Sequence, residues 1–215
     1  MTLAEELAAR YEQGKLNLPA DTQAMYQRAL ATLAESGIVE RALGEGDKAP
    51  DFELPDAFGD PVRLSELLGN GPVVVSFYRG EWCPFCNLEL QALQRAMGDI
   101  ESAGATLVAI SPNTPDITMS VVDRHALTFP VLSDHDNAVA RQFNLVYELT
   151  PENVENYRAK GRDIPAMNGT DKWELPIPAT YVIDTHRVIR YAFVHTNHRV
   201  RAEPSEVVAA AAALI

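Results

Sequence analysis

The stretch Pro72–Cys86, PVVVSFYRGEWCPFC, decides the fold and the chemistry of this chain. Its first part, Pro72–Tyr78, is an apolar run rich in β-branched residues, which predicts a buried strand of a parallel sheet. Its last part holds the two cysteines of the chain, Cys83 and Cys86. Apolar residues recur at helical spacing from Asn87 to Ala103, so we predict that the cysteines lie on the first turn of a helix.

That position makes a cysteine reactive, because backbone N–H groups and the positive end of the helix dipole stabilise the nucleophilic thiolate. Two cysteines three residues apart at a helix start can also close a short, reversible disulfide. A structural zinc site is the main alternative, but it needs four ligands, and His195 and His198 are the only candidates to complete it. The pattern therefore predicts thiol redox chemistry, with no metal and no other cofactor.

Composition narrows the classes of partner. The chain has 215 residues, a formal net charge of −12 and a sequence pI near 4.8. An acidic surface disfavours nucleic acid and anionic membranes as partners. The first residues, MTLAEELAARYEQ, carry acids and lack the apolar core of a signal peptide, and no apolar run has transmembrane length. We therefore expect a cytoplasmic protein, in a compartment where thiols stay reduced.

Two regions differ in pattern. Residues 1–45 are predicted to form a helical extension, with one amphipathic helix that ends at Gly14–Pro19 and a second that ends near Gly37. Its expected role is to cover a face of the domain or to make a dimer contact. Residues 46–215 alternate strands and helices and are predicted to form one domain. Strands are predicted at Ala105–Ser111, Pro130–Ser133, Ala179–Asp184 and Val188–Val194. Helices are predicted near Pro115–His125, from Asp134 or Asp136 through Phe143, and at Pro151–Lys160 and Glu203–Leu214.

A polar insertion interrupts this domain at about residues 150–176. We predict one helix in it, followed by an irregular segment, and a loop of this length is usually functional or partner-binding. Trp173 would line a substrate groove or anchor a dimer, or it would simply pin the loop to the core.

Three motifs within residues 46–215 resemble the AhpC/TSA (peroxiredoxin) family of the thioredoxin superfamily. They are GDKAPDFEL at Gly46–Leu54, FYRGEWCPFCNLEL at Phe77–Leu90, and Leu132-Ser133-Asp134. The resemblance implies an α/β thioredoxin-like fold in its peroxiredoxin elaboration, with a central mixed sheet flanked by helices. The helical extension would precede it.

The family's active-site motif, P-x-x-x-T-x-x-C, is only partly present. Aligned on the strand and on Glu89, the peroxidatic cysteine falls on Cys86, the threonine on Cys83 and the proline on Arg79. The family's active-site arginine falls on Pro178. Only the cysteine is retained.

The departures resemble thioredoxin instead. In its W-C-x-x-C motif the first cysteine attacks and the second resolves, which would assign those roles to Cys83 and Cys86. Ile177-Pro178-Ala179-Thr180 resembles the thioredoxin loop whose cis-proline faces the disulfide, so the resemblance favours a cis peptide bond before Pro178.

The resemblance implies a thiol-dependent peroxidase that reduces hydrogen peroxide or organic hydroperoxides through a disulfide between the two cysteines. Thioredoxin, glutaredoxin or a low-molecular-weight thiol would then reduce the enzyme, which is expected to be a homodimer. The alternative is a thiol-disulfide oxidoreductase that acts on protein disulfides. A binding module without turnover is a third possibility, which the intact cysteine pair disfavours.

The expected site residues follow from these resemblances. Arg79 would lower the cysteine pKa values or hold the peroxide, unless it is only a solvated loop cation. Trp82 would contact substrate or serve as a packing residue. The catalytic set is Cys83, Cys86 and Arg79, and the substrate-binding set is Trp82, Pro84, Phe85, Pro178 and Trp173.

Overall fold

The computed structural model describes residues 1–215 and is built on a five-stranded mixed sheet in the order β5-β4-β3-β8-β9. Strand β3, Val73–Phe77, lies at the centre and is buried along its whole length. It pairs in parallel with β4 and antiparallel with β8. The predicted strand is therefore confirmed, and the sheet is mixed, as the resemblance implied.

The remaining elements surround this sheet. The helices are α1 Leu3–Lys15, α2 Ala20–Glu35, α3 Ile38–Arg41, α4 Leu64–Leu67, α5 Pro84–Arg95, α6 Met97–Ser102, α7 Pro115–His125, α8 Ala138–Gln142, α9 Pro151–Ala159, α10 Ile164–Asn168 and α11 Pro204–Ala212. The other strands are β1 Glu53–Pro55, β2 Pro61–Arg63, β4 Thr106–Ser111, β5 Val131–Ser133, β6 Val146–Glu148, β7 Glu174–Pro176, β8 Ala179–Ile183 and β9 Ile189–Val194. Single 3₁₀ turns follow α4 and precede α8.

Two hydrophobic layers cover the two faces of the sheet. Side chains alternate along a strand, so Val75 and Phe77 of β3 point to one face and Val74 to the other. Phe77 packs on Phe143, with ring centroids 5.0 Å apart. Val74 belongs to the opposite core, which also contains both cysteines. The cysteine helix α5 therefore lies against the centre of the sheet.

The predicted helix after the cysteines is broken in two. Helix α5 ends at Arg95 and α6 starts at Met97, with Ala96 between them at a ψ of 1°. The expectation of one continuous helix over 87–103 is wrong. Gly98 follows the break, and glycine lowers helix propensity.

The helical extension covers the cysteine helix. Leu3 and Leu7 of α1 are buried against Ala92 of α5. The carboxylate of Glu203 accepts hydrogen bonds from the backbone N–H groups of Leu3 and Ala4, at 3.1 and 2.6 Å. Helix α1 ends at Lys15, within the Gly14–Pro19 boundary that the sequence predicted.

The insertion is more regular than predicted. After the expected helix α9, the chain forms α10 and then β7, which pairs antiparallel with β6. The prediction of an irregular segment is therefore wrong. Helix α2 contacts this insertion through Tyr26, whose hydroxyl accepts a hydrogen bond from Asn156 at 2.7 Å.

The peptide bond before Pro178 is trans, as are all the others in the chain. The expectation of a cis bond is therefore wrong. Pro178 joins β7 to β8 with only Ile177 beside it, and the chain passes from one strand directly into the next. A tight turn that would favour the cis isomer is absent there. Among the helices, none combines the length and the apolar composition that crossing a membrane requires.

Candidate active site

The two cysteines occupy the first turn of α5, as predicted. Cys83 is the N-cap residue, Pro84 takes the first helical position and Cys86 lies two residues further along. Proline suits that position because the N–H group it lacks has no partner within the helix. Both thiols are free and buried, with exposed fractions of 1% and 0%.

The loop between β3 and α5 depends on Gly80. Its φ of +133° is a backbone conformation that residues with a side chain rarely adopt. A Cβ there would also lie 2.8 Å from Nε1 of Trp82 and 2.9 Å from Oδ1 of Asn113. The next residue, Glu81, donates its backbone N–H to the same Asn113 oxygen at 2.9 Å. This loop therefore holds Trp82 and Cys83 in a fixed position above the sheet.

Cys83 is the more acidic thiol of the pair. Burial by itself raises its pKa, because a charged group loses solvation. Hydrogen bonds from the thiol and backbone N–H of Cys86, with the positive charges of Arg79 and Arg201, outweigh burial and lower the pKa of Cys83 to about 5. At neutral pH Cys83 is therefore a thiolate, the nucleophilic form.

Cys86 has the opposite character. Burial and the hydrogen bond that it donates to the Cys83 thiolate raise its pKa well above the ordinary value. The buried Arg201 lies against it, with Nη2 3.3 Å from Sγ, and binds Glu89 through Nη1 at 3.0 Å. Burial raises the pKa of Glu89 to about 7, against the opposing charge of Arg201.

Arg79 lies on the other side of Cys83. It is 3% exposed, donates a hydrogen bond from Nη2 to the hydroxyl of Tyr157 at 2.7 Å, and stacks over the ring of Trp82 at 4.9 Å. Its Nε has no hydrogen-bond partner. No carboxylate pairs with this guanidinium, so its positive charge acts on the cysteine beside it.

A cavity of about 550 Å³ opens beside Cys83. Arg79, Trp82, Pro84 and Phe85 line it, but Cys86 does not. Helices α1 and α2 of the extension form one wall, and α9 together with Lys160 and Arg162 just after it forms another. The segment before α11 contributes Thr196, His198 and Arg199. Cys83 is thus the cysteine that a small molecule in this cavity would meet.

Residues 45–192 match the model of the AhpC/TSA family. The chain belongs to this family. A Mycobacterium tuberculosis protein whose name places it among the peroxiredoxins is 41% identical over 97 residues, which is 45% of this chain and 61% of that protein. The thiol-disulfide oxidoreductase ResA of Halalkalibacterium halodurans is 32% identical over 105 residues, 48% of this chain and 58% of that protein. These matches span about three-fifths of each relative's length.

The AhpC/TSA assignment extends to the three-dimensional fold. The crystal structure of peroxidoxin BcpB from Mycobacterium tuberculosis superposes with a TM-score of 0.64 and 26% sequence identity. The superposition covers 80% of this chain and 99% of that structure. The thioredoxin-like fold, in the elaborated form of the peroxiredoxins, is therefore confirmed.

One feature of this AhpC/TSA site was missed by sequence comparison. The alignment put the family's arginine position on Pro178, so no second arginine besides Arg79 was expected at the cysteine pair. The structure brings Arg201 there, from 115 residues further along the chain. Glu89 and Tyr157, which bind Arg201 and Arg79, were not chosen as site residues either. The charged segment His195–Pro204 was the only signal for Arg201, and its sequence alone does not say what it contacts.

Two expected substrate contacts lie away from the cavity. Pro178 is buried one residue before Ala179, which pairs with Phe77, and it does not line the cavity. Trp173 packs on the small core of the insertion, with Arg158 over its ring at 5.0 Å. This packing fits the pinning role, and Trp173 does not line the cavity. No three histidine, cysteine, aspartate or glutamate side chains lie close enough together to hold a metal ion.

Proposed function

We propose that this chain is a thiol-dependent peroxidase in which Cys83 attacks a hydroperoxide and Cys86 resolves the product. The observation that carries the proposal is the position of Cys83. It is a thiolate at the edge of a cavity, it accepts a hydrogen bond from Cys86, and Arg79 lies beside it. Membership of the AhpC/TSA family supports peroxide as the oxidant.

In the first step the Cys83 thiolate attacks the distal oxygen of the hydroperoxide. The O–O bond breaks, Cys83 becomes a sulfenic acid, and the leaving oxygen takes a proton from solvent to form water or an alcohol. Negative charge builds up on the oxygens during this step. The guanidinium of Arg79, which lines the cavity without an ion-pair partner, stabilises that charge.

In the second step Cys86 attacks the sulfur of the Cys83 sulfenic acid and releases water, which leaves a Cys83–Cys86 disulfide. Cys86 holds its proton while Cys83 is charged, because a second thiolate beside the first is unfavourable. Once Cys83 has become a neutral sulfenic acid, that repulsion ends. Arg201, 3.3 Å from Sγ of Cys86, then favours the Cys86 thiolate that attacks.

The alternative is a disulfide oxidoreductase that acts on proteins. The order of the two cysteines and the similarity to ResA favour it. The burial of the pair opposes it, because a protein disulfide would have to reach a sulfur that is 1% exposed. A hydroperoxide is small enough to enter the cavity with the extension in place.

The remaining expectations concern partners and location. A thiol donor must regenerate the reduced enzyme after each turnover. Because the chain has no third cysteine to relay electrons, that donor must react with the Cys83–Cys86 disulfide itself. We expect the protein to work as a homodimer in the cytoplasm, where such donors are abundant.

The test compares peroxide with a protein disulfide as the oxidant. Reduced protein is mixed with one equivalent of hydrogen peroxide, and free thiols are counted against time. In parallel, reduction of insulin disulfides is followed with the same preparation. The Cys83→Ser/Cys86→Ser double variant is the control for both assays. Loss of two thiols much faster than from a free small thiol supports the peroxidase. Slow oxidation combined with fast insulin reduction would support disulfide exchange instead.

A further inference from the structure

Apart from the Cys83 thiolate, every charged side chain that lines the cavity is positive. Its 24 lining residues include no aspartate and no glutamate, although the whole chain has 30 acidic residues against 18 lysines and arginines. His198, which also lines it, is neutral because burial and nearby arginines hold its pKa well below the ordinary value. The lining cations are Arg10, Lys15, Arg79, Lys160, Arg162 and Arg199.

None of these six cations is in an ion pair, whereas eight of the chain's other lysines and arginines are. Aromatic rings lie against five of the six, all except Arg10. Arg199 stacks over Tyr11 at 4.2 Å, Arg162 over Trp82 at 5.7 Å, and Lys160 over the Tyr26 ring at 5.2 Å. A ring positions a cation without neutralising it, so the cavity keeps its positive charge available for a ligand.

We propose that the cavity binds a small anionic thiol, which is the electron donor for the Cys83–Cys86 disulfide. This inference rests on the proposed function and names its reductant. A volume of about 550 Å³ suits a carboxylate-bearing thiol of a few amino acids. It does not admit the body of a protein.

Access is the reason to assign the cavity to the reductant. Any donor must bring a sulfur atom to Cys83, which is 1% exposed behind the wall formed by α1 and α2. Hydrogen peroxide needs no pocket of this size. An anionic hydroperoxide would be attracted by the same positive charge. The experiments must therefore distinguish a thiol from a hydroperoxide as the anion that the cavity binds.

The reduction takes two thiol molecules. The first, as a thiolate, attacks Sγ of Cys83. The Cys83–Cys86 bond breaks, a mixed disulfide forms on Cys83, and the electron pair leaves on Cys86 as a thiolate that Arg201 stabilises. The second thiolate attacks the sulfur of the bound thiol and releases the small disulfide. Cys83 returns as a thiolate, and Cys86 takes up a proton.

The experiment starts from protein whose disulfide was formed with an oxidised dithiol, so that its result does not depend on the peroxidase reaction. Reduction by glutathione, by glutathione diethyl ester and by thioredoxin is followed by tryptophan fluorescence, with rates expressed per thiolate. We expect glutathione to react about tenfold faster than its ester at low salt, and increased salt to remove that difference. Equal rates for acid and ester, or a preference for thioredoxin, would overturn the proposal.

Variants of the cavity lysines show whether the anion that binds there is the thiol or a hydroperoxide. Lys15→Gln and Lys160→Gln are each expected to slow reduction by glutathione about two- to fivefold and to leave the ester rate unchanged. Lys48→Gln is the matched control, because Lys48 is exposed and does not line the cavity. A further pair of oxidants, a carboxylate-bearing hydroperoxide and neutral tert-butyl hydroperoxide, is compared on the same variants. If the two variants slow the anionic hydroperoxide but not glutathione, the cavity serves the hydroperoxide and the proposal is wrong.

Discussion

Arg201 donates a hydrogen bond from Nη2 to Sγ of Cys86 at 3.3 Å, and the two residues are 115 positions apart in the chain. The same guanidinium binds Glu89 through its other terminal nitrogen. Both charged side chains are 2% exposed. Removing one member of such a buried ion pair lowers stability, because the other charged group is then left unpaired and away from water.

Arg201→Met is therefore expected to lower the free energy of unfolding by about 3–5 kcal/mol. Adding Glu89→Gln to that variant removes the stranded carboxyl group, whose pKa burial already raises to about 7 with Arg201 present, and should recover much of the loss. Urea unfolding of the single and double variants measures both effects. If the double variant is no more stable than Arg201→Met, the unpaired carboxylate is not the source of the loss.

The reactivity of Cys83 should follow its own ionisation. Its pKa is lowered to about 5, and the thiolate is the reactive form. The rate constant with hydrogen peroxide should therefore be flat from pH 8 to pH 6 and fall as the pH drops through about 5. Thiolate absorbance at 240 nm should give the same midpoint. In Cys86→Ala the hydrogen bond to Cys83 is lost, so both midpoints should move to higher pH, and an unchanged midpoint would refute that role of Cys86.

Arg79 is expected to act on charge rather than on packing. Arg79→Met should raise the pKa of Cys83 and slow the reaction with peroxide by about 100-fold, the loss typical of a missing charge-stabilising donor. Tyr157→Phe is the matched comparison, because it removes the phenol that binds Arg79 and leaves the guanidinium. Its effect on the rate should be much smaller. Equal rate losses in the two variants would mean that position, not charge, is what Arg79 supplies.

Gly80 provides a test of the loop that presents the cysteines. Gly80→Ala places a methyl group 2.8 Å from Nε1 of Trp82 at a φ of +133°, so we expect a loss of about 1–3 kcal/mol in stability and slower oxidation of Cys83. Gly98→Ala is the control, because a Cβ there meets nothing within 4 Å and lies in α6. That control should be neutral or stabilising by up to about 1 kcal/mol. Similar losses in the two variants would contradict the role of Gly80.

Local patterns predicted much of the fold. Helix α7 has the predicted bounds, and strand β3 lies one residue inside its predicted bounds at each end, because apolar periodicity and a proline at the first helical turn act over a few positions. The helix after Asp134 was also expected, and the Asp134 carboxylate accepts hydrogen bonds from the backbone N–H groups of Val139 and Ala140. The break at Ala96 was missed because a six-residue helix continues the same apolar spacing after it.

The candidate site was predictable only in part. The C-x-x-C motif and Arg79 lie within eight residues of each other, so they could be read together. Arg201, Tyr157 and the wall formed by the extension meet the cysteines only in the folded chain. The family alignment pointed to Pro178 instead, because an alignment matches residues by their order in the sequence and not by their proximity in the folded structure. The cationic character of the cavity was hidden for the same reason, since its lysines and arginines are spread from residue 10 to residue 199.

The central claim is that Cys83 attacks and Cys86 resolves. Its most direct test adds one equivalent of hydrogen peroxide to the Cys86→Ser and Cys83→Ser variants in the presence of a sulfenic acid trap, followed by mass spectrometry of the labelled peptide. We predict fast labelling of Cys83 in Cys86→Ser and labelling no faster than that of a free thiol in Cys83→Ser. Fast labelling of Cys86 in Cys83→Ser, with Cys83 unreactive in the other variant, would contradict the account.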